Sequence, residues 1–318
     1  MRRRIFLVAA IGAGAAILTS SSAGGQGTAP DPVVGASPDP AAVRGALLDA
    51  AAGWRDTLEA YRAPVRPRPG DTASVILVLS APPVAAHEPD DRAAAAEAVT
   101  AEQDALTQVL ADLDATVTFR TRVVANTVSV RVPAGKVEAL AHLAEVREVV
   151  PVGFLAPAQV EAASGPPETT DATTPRPVGA SRSPVRIALS DAGIDASHPW
   201  LGGGIGPTFP IVGGADLVDG DGDPRITADQ VRTEAHGTEM AGLVMGSEAF
   251  RDLRPAERPR LVVYRVVAGE PVSGRERPLA RTDRVLAALE RAVDPDGDGD
   301  PADRAEGILV GLASAFGG

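Results

Sequence analysis

Cysteine is absent from all 318 residues. That excludes a disulfide framework and a thiolate metal site, and it leaves the compartment open. Aromatic residues make up only 3% of the chain, so any core has to be packed with Ala, Val and Leu. Basic clusters are missing after the first few residues, and the formal charge is −12, a balance that argues against nucleic acid as a partner. What the chain does have is length enough for two ordinary domains and 44% apolar residues to give each a core.

Arg2-Arg3-Arg4, the apolar run Ile5 to Leu18 and the small residues Ser21-Ser22-Ala23 follow the plan of an export signal over residues 1–25. The run is too short and too rich in glycine for a membrane span, so a secreted protein with no stable span after signal removal is expected. Arg3-Arg4-Ile5-Phe6-Leu7 also fits twin-arginine export, and both routes stay open. Residues 26–71 read as a Gly, Ser and Pro-rich tether, a helix over Ala41 to Tyr61 and a proline break from Pro64 to Pro69.

From Thr72 the patterns become regular. Ser74 to Leu79 predicts a buried strand and Asp90 to Leu113 a long helix. Thr116 to Val124 and Thr127 to Val132 predict strands about a turn at Ala125-Asn126. Ala134 to Leu143 predicts a second helix and Val146 to Val152 a fourth strand. The sum is βαββαβ, a ferredoxin-like α+β unit over 72–154, and by itself it carries no function. Residues 155–183 read as a linker rich in Pro, Ala, Ser and Thr, accessible to a processing cut.

Val185 to Ser190 is an apolar strand pattern ending on Asp191-Ala192-Gly193, which puts Asp191 at the carboxyl end of a strand, where open α/β sheets keep their sites. His236-Gly237-Thr238-Glu239-Met240-Ala241-Gly242 places a histidine at the start of a helix whose small residues allow close packing on a sheet. Singly, the first motif is also an ordinary turn and the second an ordinary helix start. Together, 45 positions apart, they offer an imidazole to move a proton and a buried carboxylate to orient it, and a hydrogen-bonded pair is expected.

At these residues the sequence resembles the subtilisin-like serine proteases, whose motifs are Asp-Thr/Ser-Gly and His-Gly-Thr-His-Val-Ala-Gly. Asp195 to Leu201 and Asp216 to Pro224 resemble the intervening segments in the same order. Val124 to Leu140 followed by Val146 to Pro151 is similar to the family's inhibitory prodomain, which assists folding and lays its C-terminal tail through the substrate cleft. The resemblance implies such a tail at about Arg147 to Phe154. The patterns of Leu261 to Val267 and Gly307 to Leu312 predict strands and that of Thr282 to Val293 a helix between them, the alternation a parallel sheet requires, and the resemblance implies an incomplete α/β catalytic domain over 184–318. Ser314-Ala315-Phe316-Gly317 resemble the end of the cleft strand that pairs with bound peptide.

Asp191 and His236 are then the catalytic candidates. Asp195 reads instead as a cap of the following segment, Glu239 as a helix-dipole partner and His198 as a structural loop residue. No cofactor is required by such a site. The runs Asp219 to Asp223 and Asp294 to Asp300 present alternating carboxylates that can converge on calcium, with an ordinary solvated acidic turn as the alternative.

The expected function is a secreted serine-type endopeptidase precursor acting on peptide or protein substrate, with its own prodomain as intramolecular inhibitor. No Gly-Thr-Ser occurs in the sequence, so the family's nucleophile segment is missing. The 318-residue chain is therefore expected to be inactive and the front portion of a longer protein, with an uncovered strand at Gly307 to Leu312. Departures from the motifs at Ala192, Glu239 and Met240 motivate the alternative, a non-catalytic secreted inhibitor or folding module with a degenerate peptidase remnant.

Overall fold

A computed structural model describes residues 6–9, 70–158, 184–226, 235–246, 257–272, 275–299 and 303–313. The tether, the helix expected over Ala41 to Tyr61, most of the export signal, the linker after Ala158 and Ser314 to Gly317 lie outside the described residues. Strand β1 (Phe6–Ala9) stands apart from its neighbours in sequence and joins a sheet formed much later in the chain.

The segment after residue 70 forms a four-stranded antiparallel sheet from β2 (Thr72–Leu79), β3 (Thr116–Thr121), β4 (Thr127–Pro133) and β5 (Val146–Pro151), in the order β3-β4-β2-β5. Helix α1 (Arg92–Asp112) covers one face. Its buried residues Ala95, Val99, Gln103, Leu106 and Leu110 follow helical spacing. They pack with Val75, Leu77 and Leu79 of β2 and with alternate residues Val128, Val130 and Val132 of β4. Gln103 is the polar member of this stripe; its Nε2 donates to the Thr121 carbonyl (2.8 Å) and to Asn126 Oδ1 (3.0 Å). Truncating Leu106, which is fully buried, would remove about 2–5 kcal/mol.

Two elements are shorter than their sequence patterns. The second helix is a 3₁₀ turn, Ala134–Lys136, and one α turn, α2 (Val137–Leu140). Beyond it Ala141, His142 and Leu143 donate three residues back rather than four, which tightens and ends the helix. Strand β3 stops at Thr121 because the next three N–H groups turn to a side-chain acceptor described below.

The second half of the chain is built on a parallel sheet: β7 (Arg186–Asp191), β8 (Ile211–Asp216), β9 (Arg260–Arg265) and β12 (Gly307–Val310), with β1 at the end, in the order β1-β12-β7-β9-β8. Side chains alternate between two cores. Leu189, Leu261 and Val263 enter one with Ile194, Ile211 and Ala241. Ala188, Tyr264 and Ile308 enter the other with Val285, Ala288 and Ala292. Burial on both faces is what makes these strands near-continuous apolar runs. Helix α3 (His236–Met245) lies on the first face and α4 (Thr282–Val293) on the second.

A small antiparallel sheet joins the two halves, in the order β10-β11-β6-β13: β6 (Phe154–Pro157), β10 (Val267–Val272), β11 (Arg275–Arg281) and β13 (Leu312–Ala313). The β10–β11 hairpin is not foreseen by the sequence pattern, because its outer residues Glu276, Arg277 and Pro278 are exposed and show no apolar alternation. The strand expected over Gly307 to Leu312 is divided at Gly311, and its edge is not uncovered: β1 pairs with it in parallel from Phe6↔Gly307 to Ala9↔Val310. Among the described residues no helix is long and apolar enough to cross a membrane.

Candidate active site

Asp191 ends β7 with its side chain fully buried. Its backbone carbonyl accepts from Val266 N–H (2.8 Å), so the strand pairing with β9 fixes its position. Oδ1 accepts from Ala192 N–H at 2.6 Å and lies 2.8 Å from Nδ1 of His236. His236 is the first residue of α3, and two contacts set that helix against the Asp191 turn. A Cβ on Gly237 would stand 2.1 Å from the Gly193 carbonyl oxygen, so only glycine permits the approach. Thr238 Oγ1 accepts from Asp195 N–H at 2.9 Å.

The other ring nitrogen, Nε2, is 2.7 Å from the carbonyl oxygen of Ala158. Both partners of the imidazole are therefore acceptors, and the doubly protonated ring satisfies both at once. The Asp191 hydrogen bond holds the pKa of His236 above its ordinary 6.5, against partial burial. Burial pushes the Asp191 carboxyl above its usual range, opposed by the hydrogen bond from His236.

Oδ2 of Asp191 is buried without a hydrogen-bond partner among the described residues and faces Gly311. A Cβ there would lie 1.9 Å from Oδ2 and 3.3 Å from His236 Cε1. The break between β12 and β13 is thus where the sheet makes room for the carboxylate.

Ala158 arrives at His236 on β6, which is held on both sides. Phe154 and Leu155 pair with Arg281 and Ala280 of β11, and Ala156 and Pro157 pair with Ala313 and Leu312 of β13. Gly153 is tied at both its polar groups: Thr282 N–H donates to its carbonyl and its N–H donates to Thr282 Oγ1, each at 3.0 Å. At the other end Ala158 N–H donates to the Gly311 carbonyl (2.9 Å). Leu155 is buried in the core of the parallel-sheet half. An open cleft of about 1130 Å³ runs beside Ala156, Pro157 and Ala158, past His236 to Trp200 and Leu243.

A second tie joins the halves. Glu290 of α4 accepts from the backbone N–H groups of Arg122 (2.6 Å) and Val123 (2.7 Å) on Oε1 and of Val124 (2.9 Å) on Oε2. The Arg122 guanidinium donates to the Gly297 carbonyl at 2.5 Å. Burial raises the Glu290 pKa, and the three N–H groups oppose that rise.

The structure thus brings Asp191 and His236 together. The strand beside His236 is Phe154–Pro157 with Ala158, so of the segment expected there, Arg147 to Phe154, only the last residue belongs to it; Glu148 to Pro151 pair with β2. Ser314, Ala315, Phe316 and Gly317 fall outside the described residues, directly after β13. Asp195 accepts from Ser197 N–H and Oγ, as a cap does. His198 Nδ1 accepts weakly from Trp200 N–H (3.4 Å) and lines the cleft, and Glu239 sits in the first turn of α3.

In the first acidic run, Asp219 pairs with Arg265 (2.8 Å) and Asp223 with Arg225. Carboxylates of Asp294, Asp296 and Asp298 converge in the second run, where Asp294 also accepts from Gly299 N–H. Sequence reasoning passed over Gly311 and Glu290. The second had a signal: a carboxylate four residues after Leu286, beside the apolar positions Val285, Leu286 and Leu289 of the helix.

Residues 182–275 match the model of the subtilase family, Peptidase_S8. No curated protein matches the chain. Among solved structures, an epidermin leader peptide processing serine protease from Staphylococcus aureus is 11% identical with a TM-score of 0.41, covering 74% of this chain. The chain spans 54% of that protein's length. The family match supports a peptidase-type function, and over residues 182–275, which hold both Asp191 and His236, the chain is subtilase-like.

Proposed function

We propose that the chain is the front portion of a secreted serine endopeptidase precursor, in which Asp191 and His236 are two members of a Ser-His-Asp triad. His236 acts as general base and then general acid; Asp191 holds its tautomer and stabilises the charged ring. Residues 72–158 act in cis as a folding aid and inhibitor. Their strand order, β3-β4-β2-β5 with α1 on one face, supports reading them as a ferredoxin-like unit. The observation that carries the reading is the continuous line from Asp191 Oδ1 through His236 to the Ala158 carbonyl, on a strand bound between β11 and β13 as an extended peptide would be.

The nucleophile is not in this sequence, where no Gly-Thr-Ser occurs. In subtilisin, a relative rather than this protein, losing the serine costs about 10⁶ in kcat. The 318-residue chain is therefore expected to leave casein intact and to resist fluorophosphonate labelling; labelling that disappears on mutating one of its own serines would overturn this. A coding region continuing past Gly318 into a Gly-Thr-Ser segment, whose product digests casein until His236 is replaced by Ala, would establish the peptidase. A stop codon with no such segment downstream favours the second reading, a non-catalytic inhibitor or folding module. The motif departures at Ala192, Glu239 and Met240 are the observation behind it.

A further inference from the structure

The two halves of the molecule also meet around a second cavity, of about 160 Å³, which shares no residue with the cleft at His236. Val84, Ala85, Val123 and Val124 of the first half and Val293 of α4 form its apolar walls. Two charges interrupt them, one from each half: Arg92, the first residue of α1, and Arg304, in the lead-in to β12. No lining residue is acidic, although the formal charge of the protein is −12.

The hydrogen bonds of the walls decide what such a cavity can hold. The N–H groups of Val84 and Ala85 donate to the Arg122 and Val123 carbonyls (3.0 and 3.1 Å), and those of Val123 and Val124 donate to Glu290. These four residues therefore have no backbone donor left for a ligand, and Val293 lies within α4. Glu290 is the acid adjoining this wall, and both its oxygens are occupied by backbone donors. Arg92 uses only Nε, toward the His87 carbonyl at 3.3 Å, and makes no ion pair among the described residues. A guanidinium offers N–H donors and no acceptor, in a fork that matches a carboxylate. We propose that this cavity binds a small aliphatic carboxylate, its charge held between Arg92 and Arg304 and its alkyl group against the valines. The volume suits a guest the size of isobutyrate, below the drug-sized range. Touching both halves, the ligand binds only where they are docked, so its occupancy strengthens the seam. The site does not depend on the peptidase reading of Asp191 and His236.

The test titrates isobutyrate into the full 318-residue chain. The controls are isobutyramide, which has the same shape and no charge, and chloride at matched ionic strength. Isobutyrate should give saturable shifts of the Val84, Ala85 and Val124 amide signals in NMR spectra, and the controls should not. At about nine times its Kd it should also slow exchange of the Arg122, Val123 and Val124 amides about tenfold, since opening the seam must first release the ligand. Arg92→Gln and Arg304→Gln should each weaken binding by about tenfold or more, with Arg92→Lys between, because it keeps the charge and loses the fork. Ala85→Leu keeps both arginines and fills the cavity, and it should abolish binding. Ala85 is exposed, so this variant tests the site even where a glutamine variant fails to fold. Equal shifts with isobutyramide, or no saturable shift with isobutyrate, would overturn the proposal. So would unchanged affinity in both glutamine variants or in Ala85→Leu. Binding that leaves exchange unslowed would show a ligand held by one half alone, which overturns the bridging role.

Discussion

A single missing methyl group governs the Asp191–His236 pair. Because a Cβ at 311 would overlap Asp191 Oδ2 at 1.9 Å, Gly311→Ala should displace the carboxylate or the strand, costing about 1–3 kcal/mol in overpacking. The hydrogen-bonded Nδ1 proton of His236, visible as a far-downfield NMR signal, should vanish with it. Gly222→Ala, where nothing lies within 4 Å, should leave both signal and stability alone. If the signal persists in Gly311→Ala, Gly311 does not position the pair. The pH dependence follows from the raised pKa of His236. A group whose folded pKa is raised stabilises the fold below its unfolded value, here near 6.5, and that contribution fades as pH climbs through the folded value. The Tm difference between the parent chain and His236→Ala should be largest at pH 5 to 6 and shrink in more alkaline buffer. A difference that grows with pH would show that the imidazolium is not what both acceptors bind.

At the scale of elements, the controlling contact is α4 against the end of β3. One carboxylate takes three consecutive backbone N–H groups that the sheet has released. Glu290→Ala leaves them unsatisfied in a region where Val123 is 2% exposed, at a cost of about 1–3 kcal/mol for each group that water cannot reach. Glu290→Gln keeps one acceptor oxygen and should fall between. Hydrogen exchange at Arg122, Val123 and Val124 measures this directly. Protection should drop there first, while amides in β2 and β4, stabilised by their own core, remain slow. Uniform loss of protection across the whole antiparallel sheet would mean that Glu290 supports folding of that sheet rather than docking of one half on the other.

For the whole molecule, the parallel sheet is a fold with one side borrowed. β12 is paired by β7 on one side and by β1, from the segment that reads as an export signal, on the other. A chain beginning at residue 26 would present the open N–H and C=O groups of Gly307 to Val310 along an edge, a template for intermolecular pairing. It should scatter light sooner on warming than the full chain at equal concentration. Equal aggregation would show that β1 does not protect the edge.

Much of this was determined by the sequence alone, and the reason is periodicity. The α4 pattern fixes a helix with the observed ends, Thr282 and Val293, and the apolar runs from Val185 and from Leu261 predict buried strands, the second of which ends at Arg265, with Val267 already in β10 of the other sheet, rather than running on to Val267. Asp191 and His236 were legible because each sits where a regular pattern stops, at a strand end and a helix start. The tertiary structure decided what depends on encounters between distant segments. The need for glycine at 311 exists only because Asp191 lies against it, 120 residues away in sequence. The three acceptances by Glu290 shorten β3 from a distance of 166 to 168 residues. The strand that reaches His236 is 154–157 rather than 147–154, because pairing with β2 consumes the earlier residues first. Local patterns specify which surfaces a segment can bury; which partner covers each surface is settled by the competition among all of them in the folded chain.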